Sequence, residues 1–122
     1  MTIEVVGLDH VVLRTEAPEA LVAFYQKLFG CEVERSVGEF LWQLRIGDSL
    51  LDILRGARSG ANVDHFCLRI LNYDEDRILG ILAAEGVEAE AAGEIYGAQG
   101  FGRSIYFIDP EGNRVELKGV NA

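Results

Sequence analysis

At 122 residues and 13.4 kDa the chain has the size of one domain with one real core, and 49% hydrophobic with 25% charged residues is ordinary for a soluble globular protein. No apolar run approaches the roughly 18 residues of a membrane span, and MTIEVVGLDH is no signal pattern, so a cytoplasmic location away from membranes is expected. A net charge of −9 argues against a nucleic-acid partner, which needs a concentrated basic surface.

The first expected strand runs from Ile3 to Arg14 around LDHVVLR, with Val11 and Leu13 on one face and Leu8, His10, Val12 and Arg14 on the other. A helix from Pro18 to Phe29 follows: proline suits its first position, Leu21, Phe24, Tyr25 and Leu28 form an apolar stripe, and Gly30 ends it. Strands are expected from Cys31 to Arg35, Phe40 to Ile46 and Ser49 to Leu54. Gly47-Asp48, between the last two, suits a hairpin turn. Trp42 reads as core or cavity wall, and Cys31 and Cys67 as small buried hydrophobes, making neither a disulfide framework nor a zinc motif.

Gly56 to Asn62 has loop composition, and then the chain starts again. VDHFCLR from Val63 echoes LDHVVLR from Leu8, and GVEAE at Gly86 echoes GCEVE at Gly30. Asn72 or Asp74 can cap a second helix with Ile78, Ile81 and Leu82 as its stripe and Gly86 at its end. EIYGAQGFGR, Glu94 to Arg103, carries three glycines without periodicity and reads as a flexible loop over a cavity. SIYFIDPEGNRVELK, Ser104 to Lys118, reads as two strands joined by a turn at Asp109-Pro110-Glu111-Gly112-Asn113. Val115 and Leu117 lie on one face of the second, with Arg114, Glu116 and Lys118 on the other.

The chain is thus a tandem duplication of β-α-β-β-β units, about 1–58 and 62–120, expected to form one α+β domain over 1–122. Neither half alone buries enough surface; side by side they make a curved, cup-shaped eight-stranded mixed sheet with both helices outside. Alternation then puts His10 and His65, the only histidines, on the concave face with Asp52 and Glu116 at equivalent positions of the two units. Imidazole with carboxylate suits divalent iron, manganese, nickel, cobalt or zinc. The alternative is a pair of core histidines, each held by the aspartate before it, but charges buried together without a cation are costly.

LDHVVL, AFYQKLFG, VDHFCLRI and YFIDPEGNRVEL together resemble the vicinal oxygen chelate superfamily, the glyoxalase, bleomycin-resistance and extradiol-dioxygenase group. The resemblance implies paired βαβββ units forming a cup around a divalent metal, with ligands at His10, His65 and Glu116 and a fourth, often Glu in glyoxalase I-like members, at Asp52. Aspartate reaches about 1.5 Å less than glutamate, so Asp52 serves as ligand or as a partner orienting one. Glyoxalase I-like chemistry would polarise a substrate carbonyl and stabilise an enediolate, with Glu116 loosening from the metal as base; epimerases beside a thioester carbonyl are related. Extradiol ring cleavage would use Fe(II) with two His and one carboxylate, and Tyr106 to bond a substrate oxygen. The histidine of that signature falls at Gln99, which cannot act as acid–base, and Asp52 fills a position such a site leaves free. A resistance-type protein would sequester a flat ligand at a dimer interface with no metal. Arg14 and Arg69 follow the histidines by four residues and can meet a substrate carboxylate at the cup rim, with Gln99 a further substrate contact. The combined expectation is a homodimeric, metal-dependent lyase or isomerase of the glyoxalase type acting on a small molecule, with Glu116 and Tyr106 catalytic.

Overall fold

The two echoing runs, LDHVVLR and VDHFCLR, become neighbouring central strands of one sheet. The computed structural model of the protein describes residues 2–57, 62–108 and 112–120. The first half contains β1 (Val5–Thr15), α1 (Pro18–Phe29), β2 (Val33–Val37), β3 (Leu41–Ile46) and β4 (Ser49–Arg55). The second repeats this order with β5 (Val63–Ile70), α2 (Glu75–Ala84), β6 (Ala89–Gly97), β7 (Gly100–Ile108) and β8 (Arg114–Gly119). The strands lie in the order β2-β3-β4-β1-β5-β8-β7-β6, so each half contributes four contiguous strands. β1 and β5 meet antiparallel at the seam, and each runs parallel to the last strand of its own half.

The sheet curls until its two ends touch. Arg45 on β3 donates to the Ala98 carbonyl at 2.9 Å, and the Tyr96 hydroxyl on β6 donates to Glu34 on β2 at 3.0 Å. The cup is closed within a single chain. The convex face packs on the helices in two apolar clusters: Val22 of α1 with Leu44 and Ile53, and Ile78 and Leu82 of α2 with Ile70, Ile105, Val115 and Leu117. Asp74 caps α2, accepting from the Arg77 amide at 3.1 Å, while Asn72 turns the chain with φ 53 and caps nothing. On α1 the buried stripe is Val22 with Leu21 and Tyr25; Phe24, expected on it, is 56% exposed.

The segment from Glu94 to Arg103 is not a flexible loop but a β-hairpin, β6–β7, turning at 97–100. Two of its glycines, Gly97 and Gly102, serve close approach rather than mobility. A side chain at Gly97 would collide with the Asp9 carboxylate and the Lys118 stem, and one at Gly102 would stand 2.6 Å from the Gly119 carbonyl oxygen. The same closure buries Lys118, on the same face of β8 as Glu116, to 1% exposure. The turn at Asp109-Pro110-Glu111, residues 58–61 of the first loop and the Leu28 side chain lie outside the described residues. Among the described residues no helix is long and apolar enough to cross a membrane.

Candidate metal centre

In a regular strand adjacent side chains point to opposite faces, so an Asp-His dipeptide cannot place both inside. Here the register of the seam between β1 and β5 shifts three times, and after the first shift, between Val5 and Gly7, it does so between Leu8 and His10 and where Val12 pairs with His65 but Leu13 with Val63. The last two irregularities each fall at an Asp-His dipeptide, and bulges of this kind re-aim side chains. Asp9 and His10 are accordingly both buried, and Asp9 Oδ2 lies 2.7 Å from His10 Nδ1. Asp64 Oδ2 lies 2.6 Å from His65 Nδ1 in the same way. Asp9 Oδ2 also accepts from the Ala98 amide at 2.9 Å, tying the first dipeptide to the closing hairpin.

With both Nδ1 atoms engaged, the Nε2 atoms converge inside the cup, 3.2 Å apart. Glu116 Oε1 stands 3.1 Å from each. Its carboxylate is held by two more donors, the Tyr106 hydroxyl on Oε1 at 2.9 Å and the Ser104 hydroxyl on Oε2 at 2.7 Å. These atoms meet at the floor of a cavity of about 310 Å³, also lined by Asp52 and, further out, by Arg35, Tyr96 and Phe101. A larger depression of about 1110 Å³ lies between α2 and the outer strands, but neither histidine lines it.

The donor set fits a divalent cation. Three ligand atoms mutually 3.1–3.2 Å apart match one face of a coordination shell with bonds of about 2.0–2.2 Å, and two imidazoles with a carboxylate are the ligands such ions take. His10, His65 and Glu116 form this group among the described residues, and Asp52 is not within it. Asp52 Oδ2 instead accepts from Gln43 Nε2 at 3.1 Å, and its Oδ1 is buried without a partner.

Burial opposes the charge on His10, but hydrogen bonds to Asp9, Cys67 and Glu116 outweigh it and push its pKa up to about 12. Burial likewise raises Glu116, yet its bonds to His10, His65 and Ser104 hold the carboxyl well below the usual carboxylate range. Asp52 goes the other way, raised mainly by burial, with the Glu116 charge adding to it. Burial and the Glu116 charge also raise Tyr106, which stays a neutral donor.

The other expected site residues lie elsewhere. Arg14 pairs with Asp64 on β5, and Arg69, beside Gly7, reaches Asp48 in the β3–β4 turn, both away from the cavity. Gln99 is exposed at the β6–β7 turn. None of the three lines the cup. Trp42 packs against the α1 cluster on the convex side. Residues the sequence reading passed over are Gln43, Ser104 and Arg35. Gln43 was within reach: a two-residue turn at Gly47-Asp48 pairs Ile46 with Ser49 and hence Gln43 with Asp52.

Paired βαβββ units curled into an open-mouthed cup, with two imidazoles and a carboxylate converging on its floor, define the class of protein to which the chain belongs. The chain belongs to the Glyoxalase/Bleomycin resistance protein/Dioxygenase superfamily, whose model matches residues 7–117. Members of that superfamily are mostly metal-dependent enzymes. No curated protein matches the chain. Among solved structures it is similar to methylmalonyl-CoA epimerase from Mycobacterium tuberculosis, with TM-score 0.72, 16% identity, and 100% of this chain and 93% of that one covered. A Streptomyces coelicolor methylmalonyl-CoA epimerase variant in complex with 2-nitronate-propionyl-CoA gives TM-score 0.69 and 24% identity over 98% and 97%. Homoprotocatechuate 2,3-dioxygenase from Brevibacterium fuscum gives TM-score 0.80 and 17% identity, over 98% of this chain but 34% of that one. At these identities the likenesses establish the fold.

Proposed function

We propose that the protein is a single-domain, divalent-metal-dependent isomerase or lyase that moves a proton at a carbon beside a substrate carbonyl. The observation that carries this reading is the convergence of two imidazole Nε2 atoms and Glu116 Oε1 within 3.1–3.2 Å of one another at the floor of the cup. His10, His65 and Glu116 would hold the ion. When bound, it supplies Lewis-acid stabilisation of negative charge on a carbonyl oxygen. Asp9 and Asp64 fix the imidazole orientation, and the curled hairpin limits water at the floor.

The geometry favours Asp52 over Glu116 as the group that takes the proton. Glu116 has both oxygens bonded and is held ionised, which makes it a weak base. Asp52 lines the same cavity, carries an unpartnered Oδ1, and has its proton affinity raised by burial. Two carboxyls whose surroundings drive their proton affinities apart divide such labour. Tyr106, whose one hydroxyl proton goes to Glu116, would steady that ligand.

A second reading, Fe(II)-dependent ring cleavage, is favoured by one observation: with Asp52 outside the ligand group, the centre is a two-His, one-carboxylate set. It ranks lower because both histidines are used as ligands, and Gln99, at the position of that chemistry's acid–base histidine, is exposed away from the cup. The test incubates metal-loaded protein in D2O with a hemithioacetal of a 2-oxoaldehyde and with an α-branched acyl thioester. Deuterium should enter the carbon beside the carbonyl, about 10²-fold more slowly in Asp52→Asn with its metal content intact. No exchange, together with anaerobic catecholate binding and later O2 uptake, would put ring cleavage in its place. Metal-free protein as purified, with ligand binding unaffected by His65→Ala, would instead indicate sequestration.

A further inference from the structure

The cup carries a charge that the proposed chemistry does not use. Arg35 on β2 lines the cavity, and no other Lys or Arg does among its described lining residues. Its guanidinium lies over the Tyr96 ring, 4.9 Å from the centroid, and 5.7 Å from that of Phe101. Stacking of this kind holds the plane and leaves the edge donors directed past the rings. One donor is used on Gln43 Oε1 at 3.1 Å, and Gln43 in turn donates to Asp52.

The surrounding charge makes the position unusual. In a protein of net charge −9, Arg14, Arg45, Arg55, Arg69, Arg103 and Arg114 each hold a carboxylate, and Arg77, which holds none, donates to the Thr2 carbonyl outside the cavity. Arg35 forms no ion pair among the described residues, although Glu94 lines the same cavity and Glu34 is its chain neighbour. Glu34 is occupied by Arg45 and Tyr96. An arginine kept in a cavity, oriented by two aromatic rings and an amide, and left without an acid of its own is a receptor for one.

We infer that Arg35 is the specificity-determining residue of the cup and selects ligands that carry a carboxylate remote from the reacting carbonyl. The two contacts through Gln43 set the span. From the Arg35 donor to Asp52 Oδ2 is two hydrogen bonds of 3.1 Å plus the width of an amide, about 8.5 Å at most. A short keto acid or dicarboxylic monoester or thioester fits that span and the 310 Å³ available. The substrate class rests on the reading of this cup as a carbonyl-processing site, so the test measures binding and not turnover.

The probes are 3-benzoylpropanoate and its amide, titrated calorimetrically into protein stripped of metal and into protein reloaded with zinc. The acid should bind at least about tenfold more tightly than the amide in both forms, since a charge-assisted pair of this kind is worth about that factor or more. Arg35→Gln should remove the preference by weakening the acid alone, and Arg35→Lys should keep part of it. Equal binding of acid and amide to the wild type, no binding of either, or equal weakening of both in a folded Arg35→Gln protein would overturn the inference. A preference that appears only after zinc loading would assign it to the metal and overturn it equally. Absence of proton exchange in the activity assay leaves this result untouched.

Discussion

Replacing Asp9 by Asn isolates the part that a partner behind a ligand plays at this centre. Asp9 Oδ2 takes both the His10 Nδ1 contact at 2.7 Å and the Ala98 amide at 2.9 Å, while its Oδ1 is buried without a partner. A single amide oxygen can therefore keep both contacts, and the substitution removes the charge with little change of shape. Loss of such a partner lowers metal affinity by about 10–100-fold, or about 1.4–2.7 kcal/mol. Asp9 should stand at the upper end, because its side chain is fully buried and the negative charge facing His10 is not shared with an ion-paired arginine. Asp64 is already shared with Arg14 and Arg114 and its side chain is 10% exposed, so Asp64→Asn should cost about tenfold or less. The assay is competition for zinc against a chromogenic chelator at near-neutral pH, with thermal melts confirming that each variant is folded at the assay temperature. If Asp9→Asn binds zinc as wild type does, or if Asp64→Asn loses more, the imidazole orientation is not set by these carboxylates.

Proton and metal should compete at the centre. The folded-state pKa of His10 is raised to about 12, so its contribution to metal-free stability is full below the unfolded value of about 6.5 and lost as pH rises toward 12. Glu116 is depressed, so its contribution is present above about pH 4.3 and lost as pH falls through its lower folded value. Between these limits metal uptake must expel the His10 proton, and the logarithm of apparent zinc affinity should rise by about one per pH unit from 6.5 to 8.5; a flat profile would show His10 neutral beforehand. Asp52→Glu adds about 1.5 Å of reach and should bring a fourth oxygen to the group, tightening zinc at least about tenfold while abolishing proton exchange. Gly102→Ala drives a methyl group against the Gly119 carbonyl and should lower stability by about 1–3 kcal/mol, several degrees in Tm, whereas Gly80→Ala in α2 meets nothing within 4 Å and should raise it by up to about 1 kcal/mol.

Period-two alternation and the echo of LDHVVLR in VDHFCLR were enough to read the duplicated α+β cup and to put His10, His65, Asp52 and Glu116 inside it, because pleat and repeat are local properties of the chain. What escaped was set by contacts between strands distant in sequence. Nothing in EIYGAQGFGR says that Gly97 and Gly102 face Asp9, Lys118 and Gly119, so glycines required for close packing were read as mobility. The slips in the β1–β5 register that turn Asp9 and Asp64 inward depend on how two copies of one motif meet antiparallel. Alternation puts Arg14 and Arg69 on the histidine face, but Asp64 on the neighbouring strand and Asp48 in the β3–β4 turn claim them. Arg35 became visible as a cavity residue only once the far ends of the sheet met.

The chemistry of the cup lies where the two copies stopped matching. Register gives the correspondence directly: Asp52 pairs with Val12, two residues past His10, and Glu116 pairs with Cys67, two residues past His65. Their hairpin neighbours are Gln43 and Tyr106, and the next strand outward supplies Arg35 in one half and Glu90 in the other. Had both halves kept the same residues, two equal acids would have competed for one pair of imidazoles. Instead the longer acid, steadied by Tyr106 and Ser104, occupies the space between His10 and His65, and the shorter one is drawn aside by an amide and left with a bare oxygen. The same divergence leaves Glu90 exposed in one half and an aromatic-stacked cation, Arg35, in the cavity in the other. Duplication supplies a symmetric frame, and in the proposed function the asymmetry of three side-chain pairs on it would separate binding of the ion, transfer of the proton and choice of the ligand.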